Sequence, residues 1–209
     1  MNRPLFSDVT HIEGMDLAGK STATAHLVVS TRHGLQRNSL VPNNPIYAEA
    51  DRLRRNGAAP DVLGPMYVRA LDWDLNHMTS GRPRVQDSTI LLRSLAFYEV
   101  LGHDQIVDQL HAMIPRHPRF GCTIVLTASI EARLVRLAER QRLAPDEVAP
   151  DDLMVITQPE LFLDMERALV ASSLQHFQAI ELDTSRMTKA ETKNAVNKLL
   201  AANRSGRNA

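Results

Sequence analysis

Residues 14–21 read Gly14-Met15-Asp16-Leu17-Ala18-Gly19-Lys20-Ser21, the G-x-x-x-x-G-K-S/T pattern of a phosphate-binding loop. Each position has a physical task. Gly14 and Gly19 let the backbone curl until successive N–H groups point inward at phosphate oxygens. A helix opening after the loop adds its positive N-terminal end. Lys20 reaches the β- and γ-phosphates, and the Ser21 hydroxyl holds Mg²⁺. The chemistry this predicts is binding of a nucleoside triphosphate with Mg²⁺ along Gly14 to Thr22.

Two further groups of residues fit transfer of a phosphoryl group. Asp87 ends a short apolar run, and at the end of a parallel strand it orders Mg²⁺ or takes an acceptor's proton. It also fits as an N-cap ahead of Ser88-Thr89, so both readings stay open. Arg133, Arg136 and Arg140 recur at helical spacing, with Arg142 close behind. Cations that close over a triphosphate stabilise the charge on the moving group, and the planar guanidinium grips phosphate oxygens in pairs. We assign Arg136, Arg140 and Arg142 to such a lid, about Arg133 to Pro150, and Arg133 to a structural role. The competing reading is a solvated face paired with Glu131, Glu139 and Asp146.

These residues need elements to hold them. Strand-like runs occur at Ser7 to Glu13, Leu35 to Val41, Arg84 to Asp87, Cys122 to Thr127 and Ala179 to Leu182. Helical stretches fill the intervals: Ser21 to Arg32, Ile46 to Arg55, Val62 to Thr79, Thr89 to Leu101, Asp104 to Ile114, Ile130 to Arg142, Pro159 to Gln175 and Lys189 to Ala202. A turn is expected at Gly81-Arg82-Pro83. Such alternation predicts an α/β, three-layer fold with a five-stranded parallel sheet and helices on both faces. We expect a single domain over 1–209, with a core of 5–203 and loose ends at 1–4 and 204–209.

Composition narrows the function. With 24 Lys+Arg against 24 Asp+Glu, the net charge is zero, which argues against nucleic-acid binding by phosphate neutralisation. Aromatics are only 4%, too few for a base-stacking platform. The single cysteine, Cys122, excludes an internal disulfide and an all-cysteine zinc site. The histidines show no zinc spacing. No apolar run approaches the ~20 residues of a membrane span, and Met1 to Val9 has no apolar signal core. A soluble, cytoplasmic protein is expected. No N-K-x-D tetrapeptide occurs, which counts against a guanine-nucleotide switch.

The words Ile12-Glu13-Gly14-Met15-Asp16-Leu17-Ala18-Gly19-Lys20-Ser21-Thr22 resemble the thymidylate kinases and related deoxynucleoside kinases, whose loop reads E-G-x-D-G-x-G-K-T/S-T. Asp16 inside the loop is the telling feature. Gln86-Asp87-Ser88 falls where that family has an Asp-Arg pair, the arginines from Arg133 to Arg142 where it has its lid, and Asp183-Thr184-Ser185-Arg186 where it has its adenine-side loop. The resemblance implies nucleotide contacts from Ser185 and Arg186, an acceptor hydroxyl on Asp16, and an acceptor pocket bordered by Arg69-Ala70-Leu71-Asp72-Trp73-Asp74. For Trp73 a place in the core is the competing reading. Ser88 stands where the family has its arginine; Arg93, about one helical turn on, is the expected substitute, with Arg84 less well placed. The Arg-Glu-Pro-Gly acceptor loop is missing, Arg32-His33-Gly34 being the nearest segment. The activity implied is transfer of the γ-phosphoryl group to a nucleoside, a nucleoside monophosphate or a related hydroxylated metabolite, in a homodimer. The alternative, motivated by Ser88, is a catalytically altered nucleotide-binding protein of the same fold.

Overall fold

The computed structural model describes residues 3–79 and 82–207. In chain order these form β1 (Leu5–Gly14), α1 (Lys20–Thr31), β2 (Gly34–Arg37), α2 (Pro45–Arg55), α3 (Pro60–His77), β3 (Arg84–Asp87) and α4 (Ile90–Val100). There follow α5 (Asp104–Met113), β4 (Arg119–Thr127), α6 (Ile130–Leu143), α7 (Pro150–Thr157), α8 (Pro159–Phe177), β5 (Ile180–Asp183) and α9 (Lys189–Arg207). The strands make one five-stranded sheet in the order β2-β3-β1-β4-β5, every neighbouring pair parallel. This is the expected α/β class. Among the described residues no helix is long and apolar enough to cross a membrane.

Period-2 alternation on the strands supplies two apolar faces. Ile12, Val85, Ile124 and Leu126 pack against Ala23 and Leu27 of α1 and Val196 and Leu200 of α9. On the other face Val9 and Phe120 belong to a larger core with Leu91 and Leu95 of α4 and Phe162 and Leu169 of α8. Each fully buried leucine contributes about 1.5–3 kcal/mol, and with β1 central the strand that leads into the phosphate loop is anchored from both sides.

Several boundaries differ from the sequence pattern, for identifiable reasons. The second strand was expected to reach Val41 but stops at Arg37, because Asn38 turns into the left-handed region at φ 55. The next donors then find a buried carboxylate. Asp74 accepts from the Ser39 hydroxyl at 2.6 Å, the Leu40 N–H at 2.6 Å, the Val41 N–H at 3.3 Å and the Asn44 amide at 2.9 Å. Asn44 in turn caps α2, its Oδ1 accepting the N–H groups of Ile46 and Tyr47 at 3.0 Å.

The strand expected at Cys122 starts at Arg119, and α9 runs to Arg207, past the expected end at Ala202. The eight-residue α7 begins where the segment read as a lid ends; its Pro150 and the acidic Asp151 and Asp152 in the first turn are helix-start signals. Met1, Asn2, Gly81, Asn208 and Ala209, which belong to the expected loose ends and turn, lie outside the described residues.

Candidate active site

The phosphate loop is shaped from behind. Its carbonyls are taken by side chains from distant parts of the chain. Lys20 Nζ donates to Gly14 O at 2.6 Å and to Met15 O at 3.1 Å. Arg93 of α4 donates to Gly14 O at 3.0 Å. Arg133 of α6 donates to Asp16 O, and Arg136 to Leu17 O at 2.8 Å. The Thr184 hydroxyl, just past β5, donates to Ala18 O at 2.9 Å. With carbonyls held outward, the loop's N–H groups are left for an anion. Since α1 opens at Lys20, its first N–H groups also lack intrahelical acceptors and add to the site. Gly14 is required here: at φ +144 a Cβ would sit 2.4 Å from Leu126 O on the neighbouring strand.

In front of the loop lies a cavity of about 560 Å³, bounded by the loop, the ends of β2 and β3, α2, α4, α6, α7 and the start of α9. Asp87 ends β3 in register with Ile12 on one side and Arg37 on the other. The capping reading of Asp87 does not hold, because Thr89 caps α4, its hydroxyl accepting the Leu92 N–H at 3.3 Å. The Asp87 carboxylate faces the cavity instead, 3.6 Å from Arg37 Nε.

Charge in the site is tightly coupled. Burial raises the Asp87 carboxyl above the ordinary aspartate range, with the Lys20 charge opposing it. Burial would also raise Asp16, but the Arg93 and Lys20 cations outweigh it and hold this carboxyl far below its usual range. The distances agree, with Arg93 at 3.4 Å and Lys20 at 3.5 Å from the two Asp16 oxygens. The Lys20 ammonium is lowered by burial despite Asp16, whereas Arg93 is held charged by Asp16 and Glu13 against its own burial. Glu13 has no exposure, and its two oxygens accept the N–H groups of Gly14 and Thr89, each at 3.1 Å. One carboxylate thereby ties the start of the loop to the start of the helix that carries Arg93.

Most of the sequence-derived site comes together. Asp16, Leu17, Gly19, Lys20, Ser21, Thr22, Asp87, Arg93, Arg136 and Arg140 line this one cavity. Gly14, Met15 and Ala18 shape the loop from within, the side chains of Met15 and Ala18 being buried. Arg133 is fully buried and ion-paired with Glu166, the structural role expected of it. Arg93, the expected substitute for an arginine at position 88, lines the same cavity as Ser88. Arg84 lies over the Phe6 ring at the opposite end of β3.

Other assignments need correction. Arg69, Asp72 and Trp73 do not reach the cavity; they line a separate depression of about 380 Å³ with Asn76, His77 and Met113. The inward position on α3 belongs to Asp74, and its neighbours are carried to other faces by the helical period. Trp73 stacks on His77 with ring centroids 4.2 Å apart, and Asp72 pairs with Arg116 at 2.9 Å. Arg142 is exposed outside the cavity, two positions after Arg140 and so on another side of α6. Ser185 is occupied with Asp183 and the Ser129 N–H, and the cavity wall on that side is Met187, Lys189 and Thr192 rather than Ser185 or Arg186.

The residues missed are Arg37, Asn38, Arg54 and Asp151, which wall the cavity away from α9. Arg37 ends a parallel strand beside Asp87, the place where such sheets gather ligands. Extending that strand to Val41 hid it mid-strand. Arg54 read as the polar side of a helix.

Among the described residues no group of three His, Cys, Asp or Glu side chains gathers as a metal site. Mg²⁺ needs no such cage, since it binds through one or two protein oxygens plus phosphates and water. Ser21 and Asp87, both on the cavity wall, fit that pattern.

No protein-family model matches the chain, and no curated protein matches it in sequence. Solved structures do match. Thymidylate kinase from Candida albicans is similar with a TM-score of 0.68 at 14% identity, over 94% of this chain and 92% of that one. Deoxyadenosine kinase from M. mycoides with bound dATP gives 0.57 at 16% identity, over 91% and 98%. The same enzyme with dCMP and dCDP gives 0.59 at 16% identity, over 93% and 99%. Over at least 91% of its length, the chain has the P-loop fold that these nucleotide and nucleoside kinases share.

Proposed function

We propose that this chain is an ATP- and Mg²⁺-dependent small-molecule kinase that moves the γ-phosphoryl group to a nucleoside, a nucleoside monophosphate or a related hydroxylated metabolite. One observation carries the reading: the phosphate loop, Asp87 and three arginines from α4 and α6 converge on a single cavity, which continues past Asp87 to a second wall at Arg37 and Arg54. A triphosphate on the loop would leave its γ-phosphoryl group facing that second compartment. Both relatives by fold are kinases of such acceptors.

In this reading the acceptor oxygen attacks the γ-phosphorus, the bond to the β,γ-bridging oxygen breaks, and ADP leaves. Asp87 takes the proton of a hydroxyl acceptor; its raised affinity for protons suits that task. Lys20, Arg93, Arg136 and Arg140 meet the charge on the transferred group, and the shaped loop N–H groups hold the triphosphate without rearranging. Mg²⁺, held by Ser21, would neutralise the β- and γ-phosphate oxygens, and Asp87 would help hold it where the acceptor is a phosphate and brings no proton to remove. The homodimer implied by the resemblance and the cytoplasmic setting expected from the sequence belong to the same reading, and sedimentation checks the former.

The test is ADP release with Mg²⁺ against a panel of nucleosides, nucleoside monophosphates and hydroxylated metabolites, with Lys20→Ala alongside. Acceptor-dependent release that vanishes in the variant is expected. Tight triphosphate binding without turnover on the whole panel would favour the second reading, a nucleotide-binding protein without transfer, for which Ser88 in place of an arginine is the motive.

A further inference from the structure

Two consecutive aspartates in the first turn of α7 are held by opposite walls of the cavity. Asp151 accepts from Arg54 Nη1 of α2 at 2.7 Å. Asp152 accepts from Arg140 Nη1 of α6 at 2.8 and 2.7 Å, and also takes the Ala149 N–H at 2.9 Å. Arg54, Asp151 and Arg140 all line the cavity. Behind them Val155 of α7 packs on Leu17 of the phosphate loop and Leu137 of α6. One short helix thus touches the loop, the arginine helix on the triphosphate side and the helix on the far wall.

These ties differ in kind. Val155 is 1% exposed, and Asp152 is buried against Arg140. The tie to α2 is a half-exposed ion pair, Arg54 at 39% and Asp151 at 45% side-chain exposure. Arg54 also holds Asp51 of its own helix at 3.2 Å, so its guanidinium sits between two carboxylates. Such a pair is strong enough to bias a helix position and weak enough to open. Opening it frees α7 from α2 while leaving its apolar seat on Leu17 intact.

We propose that Arg54 and Asp151 form a positioning latch, which fastens α7 across the cavity and thereby keeps Arg140 and the loop residue Leu17 in place for transfer. The proposal rests on the kinase reading for its kinetic consequence, but not for its structural one. Neither residue is catalytic; both act through α7. A latch changes the fraction of molecules with the cavity assembled, so it moves the apparent affinity for triphosphate and acceptor by a common factor.

The experiment compares Arg54→Glu, Asp151→Arg, Asp151→Asn and the doubly reversed Arg54→Glu/Asp151→Arg. Hydrogen exchange of the 150–157 amides is read first, on the protein alone. Each single reversal is expected to speed exchange by about two- to fivefold at low salt, the size of an exposed ion pair, with Asp151→Asn in the same direction. The doubly reversed chain should exchange more slowly than either single reversal, though not fully at the original rate because Asp51 stays beside position 54, and ~1 M salt should shrink the differences. Unchanged exchange in Arg54→Glu would overturn the latch whatever the kinetics show. In turnover assays both KM values should rise together in the single variants and fall back in the double one. A rise confined to the acceptor KM, not reversed in the double variant, would make Arg54 a direct acceptor contact and also overturn the latch. A chain inert toward every acceptor would sink the kinase reading, and the exchange rates would still decide the latch.

Discussion

Arg93 reaches from α4 to the carbonyl of Gly14, with Nη1 at 3.0 Å from the oxygen, while its second nitrogen lies 3.4 Å from Asp16. The first residue of the phosphate loop and a helix residue 79 positions further along the chain are therefore joined through one cation. Ser88, where the resemblance expects an arginine, is buried at φ 61. Arg93 in the first turn of α4 is the cation proposed to act in its place.

Arg93→Ala is expected to lower kcat by about 10²–10³-fold, the usual cost of removing one donor aimed at developing charge. Arg93→Lys should recover only part of it, because lysine lacks the planar fork that places one nitrogen on Gly14 O and the other beside Asp16. Steady-state kinetics with the acceptor that the panel identifies checks both. Equal activity in Arg93→Ala would mean the substitution at position 88 is not compensated from this helix.

Arg133 has no exposed side-chain surface and is committed to Glu166, Ala128 O and Asp16 O. Arg133→Ala leaves the Glu166 carboxylate buried without its partner, so urea unfolding should show a loss of about 3–5 kcal/mol. Pairing it with Glu166→Leu should restore much of that loss while nucleotide affinity stays low, since Asp16 O is still unbraced.

The His117 imidazole is fully enclosed, and burial pushes its pKa down to about 3. The unfolded chain binds this proton near the ordinary histidine value of about 6.5, so the folded state holds fewer protons between the two. Its contribution is fully present above about 6.5 and is lost as pH falls toward about 3, at up to about 1.36 kcal/mol per pH unit. His117→Phe should flatten that acid limb of the stability curve. An unchanged limb in the variant would place the proton uptake elsewhere.

Asp74→Ala removes the acceptor from four donors on one loop and one cap. A destabilisation of about 2–5 kcal/mol is expected, since buried donors are left unpaired. Because that carboxylate sets the turn just after Arg37 and Asn38, the acceptor KM should rise more than the triphosphate KM. Thermal unfolding and the two KM values are the measurements.

The parts of the site legible in the sequence were those fixed locally. The phosphate loop is a continuous word between a strand and a helix, and Asp87 ends its own short strand, so neighbours in sequence are neighbours in space. What was misplaced depends on which way a helix turns. On α3 the buried stripe is Gly64, Val68, Leu71 and Leu75 with Asp74 beside it, but the resemblance pointed to the whole segment 69–74 without saying which face turns inward. Arg69, Asp72 and Trp73 were therefore read toward the cavity from which they turn away. The same phase problem separates Arg142 from Arg136 and Arg140. Arg37 and Arg54 became visible only once β2 ended early and α2 swung its last turn to the cavity rim.

The outward-held carbonyls of the phosphate loop have a consequence for how the chain matures. Their braces come from α1, α4, α6 and the residue after β5, so the loop has its shape only when all of these are docked. A chain still being synthesised cannot offer a finished phosphate cradle until Thr184 has emerged and folded back. On the proposed function, a nucleotide would favour molecules in which these elements have docked, raising their stability by about 2.7 kcal/mol at a hundredfold excess over Kd.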